Sequence, residues 1–143
     1  MKRMALVALA ATLLGSGISA SEETNPQPAG SHFKLAIVTN DRYSQDERTV
    51  FTPDTPKVFT VYRVVAGPGL KVKAVWYAEK VAGLEPKTKI SENPETTFST
   101  RGEYISSFAC AKPAQGWPIG SYSVSLFMDG VLKKTIAFRV EKP

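Results

Sequence analysis

The stretch LKVKAVWYAE, Leu70 to Glu79, is the clearest β-strand signal in the 143-residue sequence. Its residues alternate between an apolar set and a mixed, largely polar set. Because successive side chains of a strand point to opposite faces, this alternation predicts one buried and one solvent-facing surface. Such half-buried strands are typical of antiparallel sheets. The apolar set is Leu70, Val72, Ala74, Trp76 and Ala78.

Further period-two segments lie on both sides of this stretch, and turn residues separate them. In the first segment, Phe33, Leu35 and Ile37 are expected to share one face. The pattern contains no convincing helical stretch after the N-terminal region. Six or seven short strands without helices predict an all-β fold, a single immunoglobulin-like antiparallel β-sandwich of about seven strands. The candidate strands are residues 33–39, 57–65, 70–79, 103–111, 121–129 and 131–141, with weak edge strands near 88–90 and 97–100.

The last two candidate strands form a predicted hairpin whose register depends on the turn. A two-residue loop at 129–130 turns the apolar residues of the final strand to solvent. A three-residue loop at 128–130, with Gly130 in a left-handed bulge position, places Tyr122 opposite Ile136 instead. Because a one-residue slip moves every side chain to the other face, the pattern favours the three-residue loop. That register leaves Lys134 on the inner face.

Three features carry a resemblance to known folds. Trp76 lies in the middle of a strand, Tyr122 opens the penultimate strand, and the segment GWPIGSYSVSLFMDGVLKKTIAFRV, residues 116–140, closes the chain. Over residues 33–141 the chain resembles the immunoglobulin-like and fibronectin type III-like sandwiches of exported bacterial proteins. The resemblance implies a buried Trp76, packed on aliphatic groups, and a Tyr122 hydroxyl bonded to backbone upstream. It implies no single function, because this fold group hosts many.

The N-terminal region has the layout of a secretory signal peptide. Lys2 and Arg3 precede the apolar run MALVALAATLL, and small residues lead to Ala20. The run is shorter than the roughly 20 residues that cross a membrane, so no membrane span is expected after cleavage. The sequence therefore predicts a signal peptide at 1–20, a flexible tether at 21–31 and a β-sandwich domain at 32–143. The expected location is the periplasm or the outside of the cell.

Composition argues against several classes of chemistry. Removing Lys2 and Arg3 lowers the formal charge from +5 to +3, and the basic residues are scattered, so nucleic acid is not an expected partner. The single Cys110 cannot form an internal disulfide, and is expected to be a buried small hydrophobe or, alternatively, a reactive or intermolecular thiol. His32, the one histidine, lacks partners for a zinc or Ser-His-Asp site. No catalytic, metal or cofactor site is predicted, and the protein is not expected to be an enzyme.

The remaining candidate is a surface on the sheet shared by the third, penultimate and last strong strands. Basic and aromatic groups there suit an acidic protein or an anionic glycan, or else form an ordinary solvated face. Trp117 is either displayed in its loop or folded back as a plug, and the sequence favours the plug. The candidate binding residues are Lys71, Lys73, Tyr77, Trp117, Phe127, Lys133 and Arg139.

Three functional hypotheses follow from these residues. The favoured one is an exported, non-enzymatic sandwich that binds another protein. The second is a carbohydrate-binding module with Trp117, Tyr77 and Phe127 as stacking groups. The third is a small inhibitor of an exported enzyme, presenting the loop around Trp117 or the loop at residues 67–69.

Overall fold

The computed structural model describes residues 30–143, and all regular structure in that range is β-strand. The predicted signal peptide and nearly all of the predicted tether lie outside the described residues. The all-β prediction is confirmed, with nine strands rather than about seven, because the count includes two very short ones, β2 and β6. The strands are β1 His32–Thr39, β2 Val50–Phe51, β3 Lys57–Ala66, β4 Leu70–Val81, β5 Thr88–Glu92, β6 Thr96–Phe98, β7 Gly102–Ala111, β8 Gly120–Met128 and β9 Val131–Val140.

The strands form two open sheets that pack face to face as a sandwich. The first sheet has the order β1-β3-β7, and the second has the order β2-β9-β8-β4-β5, with β6 also paired to β4. The expectation that β4, β8 and β9 share one sheet is confirmed. All pairings are antiparallel except that of β2, which runs parallel to β9 over two residues. The short β2 leaves most of one edge of β9 without a neighbouring strand.

The main core lies between the sheets and bears out the alternation in β4. All five of its apolar inward residues are fully buried, and Trp76 is the largest of them. Trp76 packs edge-on against Phe138 of β9, with ring centroids 6.0 Å apart. Burying one large apolar side chain contributes about 1.5–3 kcal/mol, so these inward rows supply much of the folding free energy. In β3 both faces are buried, because Val61 belongs to a second cluster on the outside of the first sheet.

The prediction that Phe33, Leu35 and Ile37 share one face is wrong. A register shift in β1 between Phe33 and Leu35 turns the chain by one residue. Phe33 therefore packs inward, edge-on to Tyr62 at 5.6 Å, while Leu35 and Ile37 join the outer cluster with Phe59. A β-bulge inserts one unpaired residue, and a strict period-two pattern does not reveal where that residue lies.

The predicted hairpin loop and its register are also wrong. Met128 pairs with Val131 across a two-residue turn in which Asp129 and Gly130 have φ values of 48° and 82°. Positive φ at both positions is the signature of a type I′ turn. A register shift after Leu126 then changes the parity, so that Tyr122 lies opposite Phe138 rather than Ile136. Ile136, Phe138 and Val140 face inward as expected, but through a bulge inside the strand and not at the turn. Leu132, which was expected on the same inward face, is 52% exposed.

Candidate functional site

The structure brings together five of the seven predicted site residues. They lie on the outer face of the second sheet, where Phe127 is the cross-strand neighbour of Lys73, and Tyr77 lies opposite Ser123. The exposed Arg139 stands on the same face at the far end of β9, opposite Ser121. The five residues are Lys71, Lys73, Tyr77, Phe127 and Arg139.

Trp117 does not belong to this surface. Its side chain is 2% exposed, and its indole N–H donates to the carbonyl of Thr55 at 2.9 Å. The ring packs edge-on against Tyr122, with centroids 5.5 Å apart. Trp117 is therefore a plug in the core, as the sequence favoured, and its inclusion among the candidate binding residues is wrong.

The surrounding segment GWPIGSY is a structural corner. The Tyr122 hydroxyl donates to the backbone carbonyl of Pro118, which confirms the expected upstream bond. The backbone N–H of Trp117 donates to the carbonyl of Pro53 at 3.0 Å and fixes the loop to a neighbouring turn. A Cβ at Gly120 would collide with the backbone of β4 at Lys80, so only glycine fits this close approach.

Lys133 also lies away from its predicted place. The bulge in β9 makes Leu132 the cross-strand neighbour of Phe127, and Leu132 is 52% exposed. Lys133 is the extra residue, and it lines a small recess with His32 and Met128 at the entrance to β1. The assignment of Lys133 to the same outer face as Phe127 is therefore wrong, since it required an unbroken alternation through β9.

The outer face of the second sheet carries mixed charge. Glu92 accepts ion pairs from Lys89 at 2.9 Å and from Lys73 at 3.3 Å. The hydrogen bond from Lys89, and then that from Lys73, hold the pKa of Glu92 below its ordinary value. At the far end of the sheet, Arg139 pairs with Glu141 at 2.6 Å. These partners neutralise part of the positive charge that the sequence suggested.

The two aromatic rings on that face are covered by basic side chains. The Lys73 ammonium lies 5.6 Å from the centroid of Phe127, and the Lys87 ammonium lies 5.6 Å from that of Tyr77. A sugar that stacked on either ring would have to displace the cation–π contact. Both rings are also half-buried, so neither offers the flat, open platform that stacking needs.

A site that the sequence reasoning missed lies on the open side of the sandwich, between β1 and β9. We call it the β1–β9 cleft; its volume is about 550 Å³. The apolar part of its lining includes Phe33 and Ala36 from one sheet and Ile136 from the other. Its charged groups are Lys34, Lys134 and Glu47, and Lys34 pairs with Glu103 at 3.3 Å. The one signal in the sequence for this cleft was a difference in length: the apolar centre at 50–51 has two residues, whereas the final strand has ten. Such a short strand cannot cover the edge of a long one.

The opposite open side is closed by a side-chain bridge. The buried indole N–H of Trp76 donates to the Asn93 carboxamide oxygen at 2.7 Å. The Asn93 amide in turn donates to the carbonyl of Ala109 on the other sheet at 3.0 Å. Asn93 thus joins the two sheets and uses an edge carbonyl of β7. On the side of the β1–β9 cleft, backbone rather than side chain joins the sheets at one end: the Arg48 N–H donates to the carbonyl of Val38 in β1, and the Arg139 N–H of β9 donates to that of Thr49.

Reactive groups in the described part of the chain are few. Cys110 is buried, and burial raises the pKa of its thiol to about 11, which keeps it protonated at neutral pH. His32 Nδ1 lies 2.9 Å from the carbonyl oxygen of Gly30. Within residues 30–143, no three His, Cys, Asp or Glu side chains are grouped so that they could hold a metal ion. The same residues include no helix long and apolar enough to cross a membrane.

Comparison of the sequence with protein-family profiles and with curated proteins finds no match. The class that the fold defines is the two-sheet β-sandwich.

Proposed function

We propose that this protein is an exported, non-enzymatic β-sandwich that binds another protein in the periplasm or outside the cell. The observation that carries the proposal is the β1–β9 cleft, where two strand edges face the same opening beside an apolar floor. Proteins usually shorten or cover such edges, because unpaired backbone groups recruit other chains. An uncovered edge next to a cleft of this size favours a binding role.

The immunoglobulin-like character of the sandwich is part of the proposal. Trp76 is fully buried in the middle of β4, and the Tyr122 hydroxyl bonds the carbonyl four residues upstream, as in a tyrosine corner. The sheet orders β1-β3-β7 and β9-β8-β4 match the arrangement of such domains. Trp76 packs edge-on against Phe138 of the last strand, an aromatic ring where aliphatic groups were expected.

Export is inferred from residues 1–20, whose charged start, apolar run and small-residue end suit a cleaved signal peptide. The lack of enzymatic activity is inferred from the chemistry of the described residues. Cys110 is buried and protonated, and His32 is the sole histidine. These observations support a binding protein over a catalyst.

The two alternative functions gain no specific support. A carbohydrate-binding module would have to use Tyr77 and Phe127, whose rings are half-buried beneath lysines. An inhibitor would need a protruding loop, whereas the loop at Trp117 is pinned into the core. The loop at residues 67–69 is a tight turn that is hydrogen-bonded at both ends, to Ser31 and to Phe98.

Site-specific photo-crosslinking in the cells that make the protein tests the proposal. A photoreactive amino acid replaces Ala137, which lines the cleft, or Ile90, which is 37% exposed on the far edge of the second sheet. We expect a discrete protein adduct from position 137 and none from position 90. Equal adducts at both positions, or none at 137, would contradict a protein-binding role for the cleft.

A further inference from the structure

We propose that the partner inserts an extended segment into the β1–β9 cleft and pairs with the free edge of β9 as an added strand. The inference rests on the proposed function and names the kind of partner. The segment would turn an apolar side chain toward Ile136 and an acidic one toward Lys133 and Lys134, which lie at the inward end of β9. This is recognition by strand addition, in which backbone hydrogen bonds supply affinity and alternate side chains supply specificity.

The backbone of β9 identifies the free edge. The Arg139 N–H donates to the carbonyl of Thr49 at 2.8 Å, and the Glu141 N–H donates to that of Phe51 at 2.9 Å, both away from β8. Since backbone groups of a strand alternate in direction, those of Thr135 and Ala137 point the same way. No strand within residues 30–143 pairs with them there. These two residues offer two donors and two acceptors to an incoming strand.

The cleft has the dimensions of a strand site. The unpaired stretch of β9 runs from Val131 to Ala137, about 23 Å at the usual rise of a β-strand. On its far wall stands β1, an edge strand that pairs only with β3 and whose Val38 carbonyl, near its end, accepts from the Arg48 N–H. The apolar floor of Phe33, Ala36 and Ile136 lies between the two edges, where inward side chains of an added strand would pack.

Charge determines what kind of strand fits. Between Val131 and Val140, β9 carries Lys133, Lys134 and Arg139 and no acidic residue. The ion pairs among the described residues leave Lys133 and Lys134 without an acidic partner. Like charges placed on adjacent strands are destabilising, so two copies of β9 pair poorly with each other. Glu47 is the one acid in the cleft lining, so the two unpaired lysines outnumber it, and an acidic segment of another protein complements them.

The chain's own residues 21–29, SEETNPQPA, are a weaker candidate for the same place. They carry two glutamates, but they also carry Pro26 and Pro28. Proline has no backbone N–H to donate to a ladder. A strand of another protein without proline can donate a backbone N–H to each free carbonyl of β9.

The test uses synthetic peptides and backbone NMR of the full exported chain. The probe is a capped nine-residue peptide that alternates glutamate and valine, and the control alternates lysine and valine. We expect the glutamate peptide to shift amide signals of β9 and β1, and to bind at least tenfold more tightly than the lysine peptide. Absence of shifts at Thr135 and Ala137, or equal binding of both peptides, would overturn the proposal.

Two variants make the result specific. Thr135→Pro removes a donor on the free edge, and Ser107→Pro is the matched control, because its N–H faces away from β3 on the edge strand β7. We expect Thr135→Pro to weaken the glutamate peptide at least tenfold and Ser107→Pro to leave it unchanged. If Thr135→Pro does not fold, the double variant Lys133→Glu with Lys134→Glu should reverse the preference between the two peptides. An unreversed preference would overturn the charge argument.

The outcomes also separate this inference from the proposed function. A crosslinked adduct at Ala137 that persists in Thr135→Pro would retain protein binding at the cleft and overturn strand addition. If the chain with a photoreactive residue at position 137, and without Thr135→Pro, gives no protein adduct, the proposed function itself is contradicted. Self-association of the protein through β9, seen by sedimentation, would overturn the acidic partner in favour of a second copy.

Discussion

Replacement of Trp117 tests most simply whether the segment GWPIGSY supports the fold or displays a ring. Trp117 is 2% exposed and packs against Tyr122 and Phe138, with centroid distances of 5.5 and 6.3 Å. Trp117→Ala removes this packing and leaves a cavity between the loop and the sheet. Replacements of this kind in cores cost about 3–5 kcal/mol. That is a large part of the 5–15 kcal/mol that stabilises a typical domain.

Trp117→Phe separates the hydrogen bond from the packing. Phenylalanine keeps most of the apolar volume but cannot donate to the carbonyl of Thr55. A buried acceptor left without its donor costs about 1–3 kcal/mol, so this variant should be intermediate in stability.

Urea unfolding, followed by circular dichroism, measures both changes from midpoints and slopes. We expect the order of stability to be wild type, then Trp117→Phe, then Trp117→Ala. The reasoning is refuted if Trp117→Ala unfolds within about 0.5 kcal/mol of wild type, the range usual for surface substitutions. That result would mean that the ring is displayed to solvent.

Two further substitutions and one labelling experiment have definite expected outcomes. Asn93→Ala removes the bridge to the Trp76 indole and should lower the free energy of unfolding by about 2–4 kcal/mol, because a buried donor and acceptor lose their partner; a loss below about 0.5 kcal/mol in urea would show that the bridge contributes nothing. Cys110 should resist a thiol reagent at pH 8 until the protein is unfolded, since burial raises the thiol pKa to about 11; labelling of the folded protein at the rate of a free cysteine would contradict its burial. Tyr122→Phe removes the bond to the Pro118 carbonyl and should cost about 1–2 kcal/mol by thermal or urea unfolding; an unchanged midpoint would limit the corner to apolar packing.

Period-two alternation predicted the strands and their sheet well where the alternation is unbroken. In β4 every expected inward residue is buried, because a strand covered on one face imposes that pattern directly. Tyr122 and Trp117 could also be placed from local chemistry. Burial of an aromatic ring beside a proline-containing turn is a short-range property of the sequence.

The bulges could not be predicted in the same way. One extra residue at Lys34 and one at Lys133 change the parity of β1 and β9. The first bulge turns Phe33 onto Tyr62 of β3, the neighbouring strand of the same sheet, and the two residues of this contact are distant in sequence. For the same reason Lys133 was assigned to the wrong face, and the hairpin turn was given three residues in place of two.

The position of the candidate surface was predicted correctly, but its charge was not. Lys71, Lys73, Tyr77, Phe127 and Arg139 share a face as expected, yet Glu92 and Glu141 neutralise part of its charge. Those acids come from β5 and from the chain end, and their side-chain positions depend on tertiary packing. The β1–β9 cleft was missed because an unpaired edge is a property of the sheet order and not of any single strand.

Amide hydrogen exchange along β9 of the protein alone tests the central claim most directly. If the edge is free, Thr135 and Ala137 should exchange close to the rate of an unstructured peptide. Ile136 and Phe138, whose amides face β8, should be protected by orders of magnitude more. This alternation of protected and open amides is the predicted result. Equal, strong protection of all four amides would show that another part of the chain already pairs with the edge, and would contradict the account.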